Sequence, residues 1–446
     1  MKKIFLSCCI LFSAVVVFAQ KTQSDICLIL SDMFNADSVD IYVSKEPYNQ
    51  ATKIPILYDT ITTPDISTWV VFVDLMPLAN WSHPCEYLFV SVMGDRISSI
   101  RKQTPPIYLN DNFVRITPQR GSPTLQLPQN KSAKQGCKRT PQEGGSEAAA
   151  TEEGEKWAVI ISGGVNPENN HVRYWNDCSA VYKTLIAHGY SREHICVAMS
   201  DGTDPGLDLK LNGHQYISSP LDLDGDGTND IRFAATREHI DEMFTYLARQ
   251  LNNESELFIF TTDHGGLAED GRSFLCLWNE GALYDSDFAS TIESLPARTI
   301  NVVMEQCYSG GFIDDIQMRC FDKNIVITTA CSGDEMSYAM PSLTYDEFVY
   351  RWLTAVNGVS PDNNDHSDAD FNQDGYISML EAYQDATIND TREETPQQYS
   401  NPECLTNSLS LDALLDICDN QLLVGGVDLY MKDNNFDIGD EPNTTT

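Results

Sequence analysis

Two apolar runs in this chain stop at residues that can move protons and attack carbonyls. "ELFIFTTDHGG" ends in His264, Gly265 and Gly266, and "TINVVMEQCYSGG" ends in Cys307 and a glycine pair. An imidazole near a thiol favours the thiolate, the reactive form, by stabilising its charge and carrying its proton onward. Glycines beside each residue let backbone N–H groups approach a reacting carbonyl, and the N–H groups of Cys307 and Gly265 are the candidate oxyanion donors. The competing reading of Cys307 is half of a disulfide, the commoner fate of a cysteine in an exported protein. The cysteine count bears on this. Of 13 cysteines, Cys8 and Cys9 lie in an apparent leader, which leaves 11, an odd number, so at least one thiol is unpaired or bonded to another chain. Asp263 precedes His264 directly, and neighbours on an extended chain point to opposite faces, so it is not expected to touch the imidazole.

The elements around these residues set where they sit. Between Trp157 and Ala330, "WAVIIS", "HICVAMS", "ELFIFTT", "SFLCLW", "TINVVME" and "NIVITTA" look like strands buried on both faces. Helix-period stretches near 174–187, 236–251 and 285–294 alternate with them. The pattern predicts an α/β fold with a mainly parallel sheet and helices on both faces. Functional groups gather at the carboxyl ends of strands in such a sheet, so His264 and Cys307 should emerge at one edge.

An apolar strand ending in Asp-His-Gly, followed some forty residues later by one ending in Glu-x-Cys-x-Ser-Gly, resembles the legumain family of cysteine peptidases, within the caspase-like fold group. The resemblance covers roughly residues 156–356. It implies a Cys–His dyad, with Cys307 as nucleophile and His264 as proton carrier, cutting peptide bonds of a protein or peptide substrate through a thioester. It also implies a pocket for the residue before the cleaved bond, made by Arg173 in "NHVRYWND", Glu305 and Asp346 in "TYDEFVYRW", and asparagine as that residue. The family's Asn near the catalytic His should fall at Asn170 or His171. Gln306 and Tyr308 depart from the small and acidic residues usual beside the nucleophile. Two enzyme variants stay open: cleavage after Arg or Lys, for which Glu305 and Asp346 would serve directly, and transpeptidation, in which a second amine replaces water. A non-catalytic calcium-dependent binding protein is the rival from another class.

"DFNQDGYISMLE", Asp370 to Glu381, fits the twelve-residue EF-hand loop position by position. Asp370, Asn372 and Asp374 supply side-chain oxygens, Gly375 the sharp turn and Tyr376 a carbonyl; Ser378 holds the ninth position and Glu381 closes the shell. Helix-capable segments flank this loop, and Asp346 lies on the stretch leading into it. A second run, "DLDGDGTND", sets Asp222, Asp224, Asp226 and Asp230 around glycines in a way that can wrap one hard cation, although Phe233 stands where a closing Glu would be. The expected cofactor is structural Ca2+ at both loops, with no organic cofactor.

The formal charge of −36 argues against nucleic acid or an anionic membrane as partner. Residues 1–19 have the layout of a secretory signal, which makes the protein exported, periplasmic or extracellular. No stretch is long enough for a membrane span. Five further segments complete the organisation: an all-β, sandwich-like domain over 24–117, a flexible linker over 118–155, the peptidase domain over 156–356, a calcium segment over 357–395, and an unassigned tail over 396–446. The sequence leaves the oligomeric state open.

Overall fold

The computed structural model describes residues 20–414 except 32, 36–37, 57–58, 80–82, 95, 129–154 and 213–214. The expected signal, most of the expected linker and the end of the tail lie outside the described residues. The chain divides into two units, one made of Met1–Pro77 with Pro84–Pro118, the other of Leu78–His83 with Gln119–Thr446.

In the first unit, alternation along "TWVVFVD" sends Val71 and Val73 to one face of a sheet and Val70 and Phe72 to the other. That strand, Thr68–Asp74, is central in an antiparallel five-stranded sheet ordered Ile97–Lys102, Cys85–Ser91, Thr68–Asp74, Asp40–Ser44, Phe113–Arg115. One face is covered by Ile26 and Leu30, the other by the hairpin Lys53–Ile56 and Asp59–Thr62 through Ile54, Ile56 and Ile61. "DICLILS", which reads as a β-type run, is instead part of the helix Gln23–Ser31. Thr22 and Asp25 cap its start reciprocally, and Ile26 and Leu30 fall one helical turn apart on its buried side.

The second unit holds a seven-stranded sheet, ordered Ile231–Phe233, Ile195–Met199, Lys156–Ser162, Glu256–Thr262, Thr299–Met304, Ile325–Thr329, Gln397–Asn401. Every pairing is parallel except the last. Phe258, Phe260 and Val303 face the helices Val172–Ala187 and Glu347–Asn357. Leu257, Ile259 and Val302 face Arg237–Gln250, Asp285–Ser294 and Gly311–Arg319. Each fully buried Phe or Leu here removes enough apolar surface to contribute about 2–3 kcal/mol. The predicted α/β layering with helices on both faces is therefore the observed one.

Three expectations on the elements change. Ser273–Leu277 is not in the main sheet but pairs with Gly265–Leu267 and Gly281–Tyr284 in a small antiparallel sheet. Only residues 268–272 separate it from the strand before, too short a connection for a parallel crossover. Residues 357–395 are not a separate module, because Met379, Ala382 and Ala386 of helix Met379–Asn389 enter the main core. Helix Glu347–Asn357 ends at left-handed Gly358, so no helix runs directly into the loop at Asp370. The linker, finally, is docked at its start: Leu125 packs on the core, Gln126 N–H donates to Asn176 Oδ1 at 2.9 Å, and the Asn176 amide donates to Thr124 O at 2.9 Å and Thr344 O at 2.7 Å. Among the described residues no helix is long and apolar enough to cross a membrane.

Candidate active site

Strand register brings the two motifs together. Glu256–Thr262 and Thr299–Met304 are adjacent parallel strands with Thr261 opposite Met304, so three residues beyond that pair lie His264 on one chain segment and Cys307 on the other. Glu305 N–H donates to Thr261 O at 2.8 Å and continues the pairing past the strand end. Gly265 is pressed on the Cys307 backbone: a Cβ there would stand 2.1 Å from Cys307 O. Only glycine fits this contact. Gly265→Ala is expected to force the two strand ends apart, costing several kcal/mol of stability together with most activity, as read by thermal melting and peptide hydrolysis.

Two non-glycine residues with positive φ flank the pair, Asp263 at 119° before His264 and Tyr308 at 60° after Cys307. Such conformations cost roughly 1–3 kcal/mol each and persist where surrounding contacts hold them. Asp263 shows what holds one: its carboxylate accepts from Gly164 N–H at 2.5 Å, Ser162 Oγ at 3.1 Å and His264 N–H at 2.7 Å. Burial nonetheless lifts this acid to about 7. Its carboxylate fastens backbone, as expected of a group not reaching the imidazole.

Both imidazole nitrogens are engaged. Nε2 of His264 lies 2.9 Å from Asn169 O, and because a carbonyl only accepts, Nε2 carries the hydrogen. Nδ1 then accepts from the Tyr174 hydroxyl at 3.1 Å. Arg173 Nη2 donates to the same hydroxyl at 2.5 Å, and Arg173 Nε pairs with Asp346 Oδ1 at 2.8 Å. Tyr174 is the residue that motif reading misses; it adjoins Arg173 on a helix, and nothing in its spacing marks it. Of the two positions for the family's Asn, His171 presents its ring edge to His264 at 5.7 Å between centroids, whereas the Asn170 amide donates to Ser200 Oγ at 2.7 Å and Asp208 O at 3.0 Å.

Burial governs the charges. Cys307 is 0% exposed and its thiol is pushed up to about 12, chiefly by desolvation, with Ser337 contacts pulling the other way. His264, 2% exposed, is held well below its ordinary value by burial first and the Arg173 cation second. Burial thus favours the uncharged form of both groups.

The three residues expected to read the substrate side chain are also buried. Arg173 and Asp346 meet directly, while Glu305 Oε2 accepts from Val349 N–H at 2.7 Å and its Oε1 has no hydrogen-bond partner among the described residues. Burial, then the Asp346 charge, raises Glu305 well above the carboxylate range, and burial and Asp346 do the same to Asp177, whose Oδ1 accepts from Asp346 N–H at 3.3 Å. Of the departures beside Cys307, Gln306 Oε1 accepts from Thr261 Oγ1 at 2.7 Å and Tyr308 N–H donates to Glu335 O at 2.8 Å. Both are tied into the local scaffold.

Residues 156–411 match the model of the peptidase C13 family. The chain belongs to the peptidase C13 family. It is a legumain-like cysteine peptidase by descent, and its mostly parallel helix-flanked sheet agrees with the caspase-like fold. The match extends past the expected boundary at 356 and takes in Gln397–Asn401, the strand that completes the sheet. No curated protein matches the chain.

The acidic loops of this C13 peptidase lie apart from His264 and Cys307 in sequence. Asp370 accepts from the N–H groups of Asp374 at 3.1 Å and Gly375 at 3.0 Å, and Gly375 takes a φ of 90°. Asn372 Oδ1 accepts from Asp374 N–H and Asp374 Oδ1 from Tyr376 N–H. Glu381 joins the ends of the loop, with Oε1 accepting from Asn372 N–H at 3.1 Å and Oε2 from Ser378 N–H at 3.0 Å. In the other loop Asp222, Asp224 and Asp226 each offer an oxygen within 4.8 Å of the others. Asp224 and Asp226 pair with Arg192 at 2.5 and 3.0 Å. Asp230 does not join them: its buried carboxylate accepts from Tyr182 OH at 2.6 Å and Leu223 N–H at 2.7 Å. Its place in the expected ligand set is thereby corrected to a structural one.

Proposed function

We propose that this C13 peptidase is an exported endopeptidase using Cys307 and His264 as its dyad, with asparagine before the cleaved bond. The register match of the two strand ends carries the reading. His264 takes the Cys307 proton as sulfur attacks the substrate carbonyl, and the resulting oxyanion is received by the N–H groups of Cys307 and Gly265. Collapse releases the amine product, which takes the proton back, and water then resolves the thioester. Cys307 is a thiol, as are Cys27, Cys85, Cys178, Cys196, Cys276, Cys320 and Cys331. Cys404 is disulfide-bonded, which suits an oxidising compartment.

Charge balance favours a carboxamide over a cation in the pocket. Burial holds Glu305 and Asp177 well above the carboxylate range, and Asp346 is the acid that pairs with Arg173. An Arg or Lys side chain would add a second cation beside Arg173, whereas an amide can bond both Arg173 and the open Glu305 Oε1. A fluorogenic peptide series varying the residue before the cut is expected to show Asn preferred over Arg by about 100-fold or more. Cleavage after Arg instead would replace this reading, and so would no cleavage after any residue.

Calcium belongs to the same proposal, held by Asp370, Asn372, Asp374, Tyr376, Ser378 and Glu381, and by Asp222, Asp224 and Asp226. Added Ca2+ at a hundred times its Kd is expected to stabilise the fold by about 2.7 kcal/mol, read as a raised Tm. Asp374→Ala should lose that response at the first loop. Because helix Glu347–Asn357 starts at Asp346 and packs on helix Met379–Asn389, a chelator should also slow cleavage. Unchanged cleavage would sink that coupling.

A further inference from the structure

The chain between helix Met379–Asn389 and strand Gln397–Asn401 lies on the loop that touches Cys307. Cys307 Sγ is 3.8 Å from Ser337 O and 3.9 Å from Ser337 Oγ. On either side of Ser337 this loop is fastened by consecutive residues of the 390–395 segment. Glu394 Oε2 accepts from Tyr338 N–H at 2.8 Å, and Thr395 donates its N–H and its hydroxyl to the Glu335 carboxylate, each at 3.0 Å. The Glu335 carbonyl accepts in turn from Tyr308 N–H at 2.8 Å, so the same loop holds the residue after Cys307. At its other end the segment meets the start of helix Glu347–Asn357, where Thr391 Oγ1 donates to Glu347 Oε1 at 3.0 Å, beside Asp346.

One bond in this fastening needs a proton. The Glu394 and Asp390 carboxyls are hydrogen-bonded to each other, and among the described residues no other donor reaches the buried atoms Glu394 Oε1 and Asp390 Oδ2. A carboxylate only accepts, so the pair forms this bond when one member is a carboxylic acid. Glu394 is the favoured member: burial, then the Asp390 charge, raises it well above the carboxylate range, while the bond from Glu394 works to lower Asp390. Arg351 and Arg392 do not relieve it, because they pair with Glu347 at 3.0 and 3.5 Å. The other charges around Glu394 are acids, Glu335 and Glu393 beside the loop and Asp346 and Glu305 at the pocket, and Tyr338 and Cys307 complete the titratable groups that face it. We propose that Glu394 is a positioning residue for Cys307, sharing an acid hydrogen with Asp390 through one oxygen and fastening the Ser337–Tyr338 stretch against the sulfur through the other. Its effect on cleavage rests on the dyad reading; the fastening does not. The fastening weakens as pH rises from the ordinary carboxylate value through the raised one, because ionised Glu394 leaves two carboxylates in contact and adds a negative charge that opposes a Cys307 thiolate.

Glu394→Gln and Glu394→Ala, made in the full chain, test this. The first keeps an acceptor for Tyr338 N–H and supplies a permanent donor to Asp390, copying the protonated acid with no proton to lose. The second removes both. On an asparagine peptide, Glu394→Ala is expected to lower kcat by about ten-fold or more with KM little changed, the size of effect that a misplaced reacting group produces. Glu394→Gln should match the parent at acid pH and lack the parent's fall in kcat as pH rises. Iodoacetamide modification of Cys307, located by peptide mapping, reads the same fastening without hydrolysis and should be faster in Glu394→Ala alone. If Glu394→Gln is as slow as Glu394→Ala, or loses kcat at the same pH as the parent, the proposal is overturned; parental kcat and parental modification in Glu394→Ala overturn it equally. Where Glu394→Ala does not fold, the pH profile of Glu394→Gln decides. The two readings fail separately. Faster modification in Glu394→Ala but not Glu394→Gln, with no peptide cut by the parent, keeps the fastening and removes the peptidase, whereas equal hydrolysis and equal modification in all three proteins keep the peptidase and remove the fastening.

Discussion

Cys307→Ala is expected to reduce peptide hydrolysis by roughly 10⁴-fold or more while the protein keeps its fold. The sulfur is buried, so losing it removes one packed atom and costs about 1 kcal/mol in stability, far from enough to unfold a domain of this size. His264→Ala should fall by a similar factor, and the double variant should be no worse than either single one, because nucleophile and base act as a unit. Substantial hydrolysis surviving Cys307→Ala would remove the dyad from the reading altogether.

The second large effect is expected at Arg173. This guanidinium is buried against Asp346, and Arg173→Ala would leave the Asp346 carboxylate without its cation. Breaking a buried pair by removing one partner costs about 3–5 kcal/mol. A lower Tm is therefore expected together with lost cleavage, and alone the two would not separate a structural role from a reading role. Arg173→Lys separates them. It keeps the charge near Asp346 but loses the planar fork that reaches Asp346 and the Tyr174 hydroxyl at once. Stability should then be largely restored, with KM for asparagine peptides raised and kcat lowered as well. A lysine variant with parental kcat would show that the Tyr174 contact does not matter to the imidazole.

Much of this was legible in the chain because burial on both faces writes itself as continuous apolar runs. "ELFIFTT" and "TINVVME" could hardly be anything but interior strands, and their ends named His264 and Cys307. Elements governed by other physics were harder. Gln397–Asn401 is an edge strand of polar residues, intermediate in burial throughout, and carries no hydrophobic signature. "DICLILS" has the composition of a strand, and only the Thr22–Asp25 cap distinguishes it as a helix. Asp230 matched a ligand spacing, but spacing along a chain does not say that its carboxylate is already held by Tyr182 and Leu223. The bridge between Ala79 and Tyr338 was invisible for the same reason: it joins positions remote in sequence that share no pattern.

One hydroxyl has two masters. The Tyr174 oxygen receives the Arg173 donor on one side and turns its own hydrogen toward His264 on the other. Under the proposed roles of Arg173 and His264, selectivity and turnover are wired through a single atom, and an engineer who repoints Arg173 to admit a different side chain is expected also to detune the base. New specificities in this scaffold should be sought at Glu305 or in the residues around it, where the two properties can be adjusted one at a time.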